Sequence, residues 1–109
     1  MTDYYPSEKF SQAVGILAVS PLPLQKRIAN AFFHLSTLLA PMHSVNLPQD
    51  TKQKLQEYDA TWRSVDDPAG LGKLIIWANS LSDDEAIEIA SWILETTFRL
   101  NREYWSEQQ

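Results

Sequence analysis

Apolar residues recur along this chain at helical spacing, in five stretches separated by breaks rich in proline, serine and aspartate. The longest stretch is the last, Ser82 to Trp105. It opens with Ser82 and Glu85 at capping-box spacing, where each side chain can satisfy a free backbone N–H of the first turn. Asp83, Asp84 and Glu85 then fall where the helix dipole favours negative charge. At about 100° per residue, Glu88, Glu95, Arg99 and Arg102 share one polar stripe. Two apolar seams take most of the remaining circumference. Ala86, Ile89, Ile93, Thr97, Leu100 and Tyr104 form the first; Ile87, Leu94, Phe98 and Trp105 form the second, and Trp92 closes the far side. A surface helix of a monomer needs one seam, so a helix with two is expected to be central or shared.

The earlier stretches read as shorter helices. Ser7 can cap a first helix to about Val19, with Phe10, Ala13, Val14 and Leu17 on one face. Gly15 weakens it by roughly 1 kcal/mol relative to alanine, which implies a close backbone neighbour or a marginal helix. Ser20 is a candidate N-cap and Pro21 a first helical residue, because the missing proline N–H would be unsatisfied there anyway. The second helix then runs to Ala40, where Pro41 ends it. Its buried face is Leu24, Ile28, Ala31, Phe32, Leu35, Leu38 and Leu39; Lys26, Asn30, His34 and Thr37 make the wet one, and Phe33 lies off the seam.

Pro41 to Pro48 reads as a loop. A third helix from Pro48 to Val65 has only a narrow stripe, Leu55, Tyr58, Trp62 and Val65, which places it on the outside. Asp67 can cap a fourth helix that begins at Pro68 and runs to about Leu81. Leu71, Leu74, Ile75, Ala78 and Leu81 share its broad face, Trp77 flanks it, and Ile76 points away. Short connections favour antiparallel neighbours. The expectation is an all-α, single-domain four- to five-helix bundle over residues 1–109, with a long central C-terminal helix and fraying at 1–6 and 106–109.

Composition narrows the function classes. A chain of 109 residues can bury roughly two-thirds of its surface around one core. It has no cysteine, so it has no disulfide framework, thiolate nucleophile or cysteine metal site. The start, M-T-D-Y-Y-P, is acidic and aromatic, unlike a signal peptide. No apolar run approaches the roughly 20 residues of a membrane span. A soluble, cytoplasmic protein without membrane association is expected. The net charge of −5 is uneven: residues 1–65 carry six Lys/Arg against five Asp/Glu, and residues 66–109 carry three against nine. An acidic half repels nucleic acid and would steer toward a basic partner.

Few residues offer chemistry. Gly70-Leu71-Gly72-Lys73 lacks the earlier glycine, the Ser/Thr and the preceding strand of a phosphate-binding loop, and reads instead as a helix start whose small residues admit a neighbour. His34 and His43 form no helical metal pair. Asp84, Glu88 and Glu95 recur at helical spacing but fall on a wet stripe, where nothing pushes two carboxyl pKa values apart. Glu95 and Arg99 have the order of an exposed ion pair. No serine sits in a nucleophile elbow. As a DNA reader the fourth helix would offer one cation, Lys73, which is too few to neutralise phosphates.

No enzyme activity, cofactor, metal or direct nucleic-acid binding is therefore expected. What remains is the aromatic and apolar surplus. Ile76, Trp77, Ile87, Leu94, Phe98, Arg102 and Trp105 are the candidate contact residues, since apolar patches rimmed by charge mark interfaces. Asp66, Asp67, Asp83, Asp84 and Glu88 are the candidate acidic steering patch. The expected function is a small acidic protein-binding factor, an adaptor, inhibitor or immunity-type protein, self-associating as a homodimer through the last helix. A DNA-mimicking inhibitor of a DNA-binding protein is the alternative, and an apolar-ligand carrier or a carboxylate-metal enzyme the remote one.

Overall fold

In a computed structural model, residues 4–39, 46–70 and 72–107 are described. They form five α-helices and a 3-10 turn, with no strand among them. The helices are α1 (Tyr4–Val19), α2 (Leu24–Leu35), α3 (Gln49–Arg63), α4 (Lys73–Asn79) and α5 (Asp83–Glu107), and the 3-10 turn is Ser36–Leu39. The all-α bundle with a long C-terminal helix is as the pattern predicts. The molecule measures 49 × 30 × 19 Å. A helix with its side chains is about 10 Å across, so the short dimension holds only two layers. Every helix therefore keeps one face on water.

α2 sits in the middle and packs on α1, α4 and α5, while α5 runs the length of the bundle and lies on both α1 and α2. Ile28, Ala31, Phe32 and Leu35 of α2 are buried, as their spacing predicts. On α5 the first seam is the core seam: Ala86, Ile89, Ile93, Thr97 and Leu100 are all buried. α3 buries only Thr51 and Leu55, in keeping with an outer helix. One aromatic ring from each of the five helices joins a continuous chain. Phe10 of α1 meets Trp92 of α5 at 5.8 Å between centroids, and Trp92 meets Tyr58 of α3 at 5.3 Å. Tyr58 in turn meets Phe32 of α2 at 5.4 Å, and Phe32 meets Trp77 of α4 at 5.5 Å.

Several helix ends differ from the sequence reading, each for a local reason. α1 begins at Tyr4 rather than at a Ser7 cap, because Pro6 and Ser7 are buried inside its first turns. The Ser7 hydroxyl donates to Asn101 Oδ1 of α5. Residues 4–6, 106 and 107, expected to fray, are helical. α2 starts at Leu24 with Pro23 at its N-cap, and the Ser20 hydroxyl accepts from the Leu22 N–H, at 3.4 Å, outside the helix. Its C-terminal turn tightens into 3-10 geometry as Thr37 Oγ1 donates to the His34 carbonyl at 2.6 Å.

α4 starts at Lys73, five residues later than expected. The Gly70 N–H bonds the Asp67 carbonyl, and the Gly72 N–H bonds Asp67 Oδ2 at 2.8 Å, which holds the chain in a turn. Both glycines have positive φ, 69° and 105°, so they serve backbone conformation and not helix approach. The predicted helix end at Ala40 and Pro41, His43, Leu71, and the termini 1–3 and 108–109 lie outside the described residues.

The start of α5 is as predicted. The Ser82 N–H donates to Glu85 Oε1 at 2.9 Å, and the Glu85 N–H donates to Ser82 Oγ at 3.1 Å. These bonds hold the Glu85 carboxyl below its ordinary value. A depressed folded-state pKa contributes stability above the unfolded value of 4.5, and that stability is lost as pH falls through the folded value. Ser82→Ala keeps the backbone N–H that lowers the Glu85 pKa most and removes only the hydroxyl. It is therefore expected to move that pKa part of the way toward 4.5 in an NMR titration and to weaken the acid dependence of unfolding slightly. At Gly15 a Cβ would meet nothing within 4 Å, so neither a close neighbour nor a packing reason stands behind this residue. Gly15→Ala should stabilise the fold by up to about 1 kcal/mol, read as a higher urea midpoint at unchanged slope.

Candidate functional site

The second seam of α5 lies on the outer surface. Ile87 is 55% exposed, Leu94 40%, Phe98 61% and Trp105 58%. They face outward because the first seam already meets α1 and α2, and a two-layer bundle has no third layer to cover the other side. Arg102 is exposed beside them, as are Glu88 and Glu95. Six of the expected contact and steering residues, Ile87, Glu88, Leu94, Phe98, Arg102 and Trp105, are thus brought onto one helix face.

α1 supplies a wall that sequence reasoning did not assign to the site. Val14, Leu17 and Ala18 line an apolar groove of about 280 Å3 with Ile87 and Leu94. Val14 and Leu17 share a helix face with the buried Phe10 and Ala13, yet each is only half-buried. At the other end, Tyr4, Ser7, Ser11, Asn101 and Trp105 border a second recess of about 480 Å3. Between these recesses α1 and α5 run antiparallel, tied by polar bonds. Asn101 Nδ2 donates to Ser11 Oγ at 3.3 Å, and Thr97 Oγ1 donates to the carbonyls of Phe10 and Ile93. Tyr104 packs on both Tyr4 and Trp105, at 5.2 and 5.1 Å between ring centroids. The outer seam is therefore mounted on a braced helix pair.

Two expected contact residues belong elsewhere. Trp77 is 6% exposed and stacks edge-on against Phe32, so it is a core residue. Its flanking position on a one-layer helix wheel turned inward because α4 is sandwiched against both α2 and α3. Ile76 is half-buried on the same helix and is not continuous with the α5 seam. Phe33 and Ile75, also exposed, border a separate cavity of about 390 Å3 with Trp62 and Arg63.

The acidic patch is divided. Asp66 and Asp67 precede α4, whereas Asp83 and Asp84 follow it, so the pairs flank opposite ends of a helix about 10 Å long. Asp67 holds the Gly72 N–H, and Asp83 Oδ1 accepts from Gln25 Nε2 at 2.9 Å, both ordinary structural roles. Arg99 does not pair with Glu95. Its guanidinium reaches Asp50 of α3 at 2.7 Å and Glu103 at 3.1 Å, a long-range partner that helix spacing cannot reveal. The Asp50 carboxyl is held below its ordinary value by that hydrogen bond. Burial pushes the Tyr58 hydroxyl up, aided by Glu88 and Glu57.

Among the described residues no three His, Asp or Glu side chains converge to hold a metal ion. No helix among them is long and apolar enough to cross a membrane. Lys73, the single cation of α4, donates to the Arg63 carbonyl at 3.0 Å and so closes the end of α3. Comparison with protein-family models, with curated proteins and with solved structures finds no match to this chain. What the fold defines is a two-layer helical bundle carrying an apolar seam on its longest helix.

The two tryptophans should separate cleanly in unfolding experiments. Trp77→Ala is expected to cost about 3–5 kcal/mol, as for a large ring removed from a packed core. Trp105→Ala, on the surface, should stay within about 0.5 kcal/mol of wild type at concentrations too low for association.

Proposed function

We propose that this chain is a small acidic protein-binding factor, of the adaptor, inhibitor or immunity type, whose contact surface is the outer seam of α5. The observation that carries this reading is the row of large apolar side chains, Ile87, Leu94, Phe98 and Trp105, left on water along one 25-residue helix. Burying such a side chain completely contributes roughly 1.5–3 kcal/mol, of which the share still exposed here is left to gain, and among the described helices no other offers so long a continuous row. Trp105 beside Arg102 has the composition of an interface anchor. Asp83, Asp84 and Glu88 at the start of α5 would steer a partner that presents basic side chains opposite them, acting on the encounter rate more than on the final affinity. The division of the acidic residues across α4 weakens the DNA-mimic alternative, which needs one continuous anionic face. The proposed role is non-catalytic and cytoplasmic.

The test is Phe98→Asp combined with Trp105→Ala, with the fold checked by circular dichroism. Association, followed by light scattering over a concentration series and by pull-down with the tagged protein as bait, should weaken at least about thirtyfold. Unchanged association in a folded variant would remove the seam from consideration.

A further inference from the structure

We infer that the occupant of the α5 seam is a second copy of this chain, docked antiparallel so that Leu94 of each copy meets Phe98 of the other; this rests on the protein-binding reading above. Exposed Ile87, Ser91, Leu94, Phe98 and Trp105, with half-buried Asn101, follow one another in the order Ile87, Ser91, Leu94, Phe98, Asn101, Trp105 at steps of four, three, four, three and four residues. That is the alternation of the two core positions of a coiled coil, which keeps one helix face turned toward a partner helix. The seam is thus built to receive another helix and not a flat surface.

Its order makes it complementary to itself when reversed. A two-fold axis beside Thr96 sets Ile87 against the second copy's Trp105, Ser91 against its Asn101, and Leu94 against its Phe98. Each layer pairs a smaller side chain with a larger one, or polar with polar. Asn101 spends one oxygen contact on Ser7 and one N–H on Ser11, which leaves its amide a further N–H and lone pair for the Ser91 hydroxyl. A single polar layer of this kind fixes register.

The flanking charges agree. Glu88, Glu95 and Arg102 line the exposed edge of the seam, and none makes an ion pair within the described chain. Read as acid, acid, base, this edge complements only its own reverse. The same axis that aligns the apolar layers brings Glu88 opposite the second copy's Arg102, twice per dimer. A parallel arrangement leaves these charges without partners. Glu95 and its counterpart come near the axis and oppose association. Because α5 is already ordered by its own bundle, docking does not bear the cost of forming the helix. An isologous contact of this kind closes at two copies.

Oxidative crosslinking of the full-length protein tests the register, on a background that contains no cysteine. Antiparallel docking holds the two Ser91 positions about 15 Å apart along the axis, beyond the roughly 7 Å Cα separation that a disulfide tolerates. Ser91→Cys alone and Asn101→Cys alone should therefore remain uncrosslinked, while their mixture should give the Ser91→Cys/Asn101→Cys heterodimer by mass spectrometry. Crosslinking of either variant with itself overturns the antiparallel arrangement, and no crosslink in the mixture overturns the register.

Charge reversal gives a second measurement that leaves the seam intact. Glu88→Arg and Arg102→Glu should each weaken dimerisation roughly tenfold, and the double variant should restore it to within about twofold. Glu95→Gln should tighten it. Failure of the double variant to rescue overturns the pairing. If Phe98→Asp abolishes association while these tests fail, seam binding stands and the second copy or its register falls. If Phe98→Asp leaves association unchanged, both fall.

Discussion

The chain of edge-to-face and tilted rings through Phe10, Trp92, Tyr58, Phe32 and Trp77 is the contact on which the bundle depends. Each helix contributes one ring. This matters most for α3 and α4, which are the weakest elements by their own resources. α3 is mostly polar with a narrow stripe, and α4 has only seven residues, too few to be helical alone. Tyr58 and Trp77 anchor both against Phe32 on the central helix. Aromatic pairs contribute roughly 0.5–1.5 kcal/mol each beyond the area they bury, and here the pairs are linked rather than isolated.

Around that chain, polar groups close the helix ends and set how elements meet. Arg27 reaches across to the Leu17 carbonyl at the end of α1, at 2.6 Å. Gln25 donates to the Leu81 carbonyl and to Asp83, which ties the start of α2 to the junction of α4 and α5. Lys73 closes α3, and Thr97 holds α5 to the backbone of α1. In a bundle only two helices thick, connections are short and helix ends are near neighbours. Side chains of one helix are accordingly available to satisfy the free carbonyls of the next.

Thinness also accounts for the exposed apolar seam. With a short dimension of 19 Å, α5 can bury one seam and must leave the opposite side on water. Its exposed row of Ile87, Leu94, Phe98 and Trp105 is unusual for a monomer of this size, because side chains of that kind associate when given a matching face. The same helix thus stabilises its own bundle with one face and leaves a second, apolar one on water.

The sequence by itself determined what depends on neighbours one to four residues apart: five helices, the Ser82–Glu85 capping box, the buried faces of α2 and α5, and the two-seamed character of the last helix. Those features follow from periodicity and local hydrogen bonding, which are written in order along the chain. Tertiary structure decided the rest. Trp77 and Phe33 both lie off the main faces of their helices, yet Trp77 is core and Phe33 is exposed, because α4 has neighbours on two sides and Phe33 faces none. Arg99 proved to pair with Asp50 on another helix and with Glu103 one turn onward, instead of with Glu95 one turn back. Whether the second seam of α5 was covered or free could not be read from its own wheel, since the answer lay in how many layers the other four helices would build.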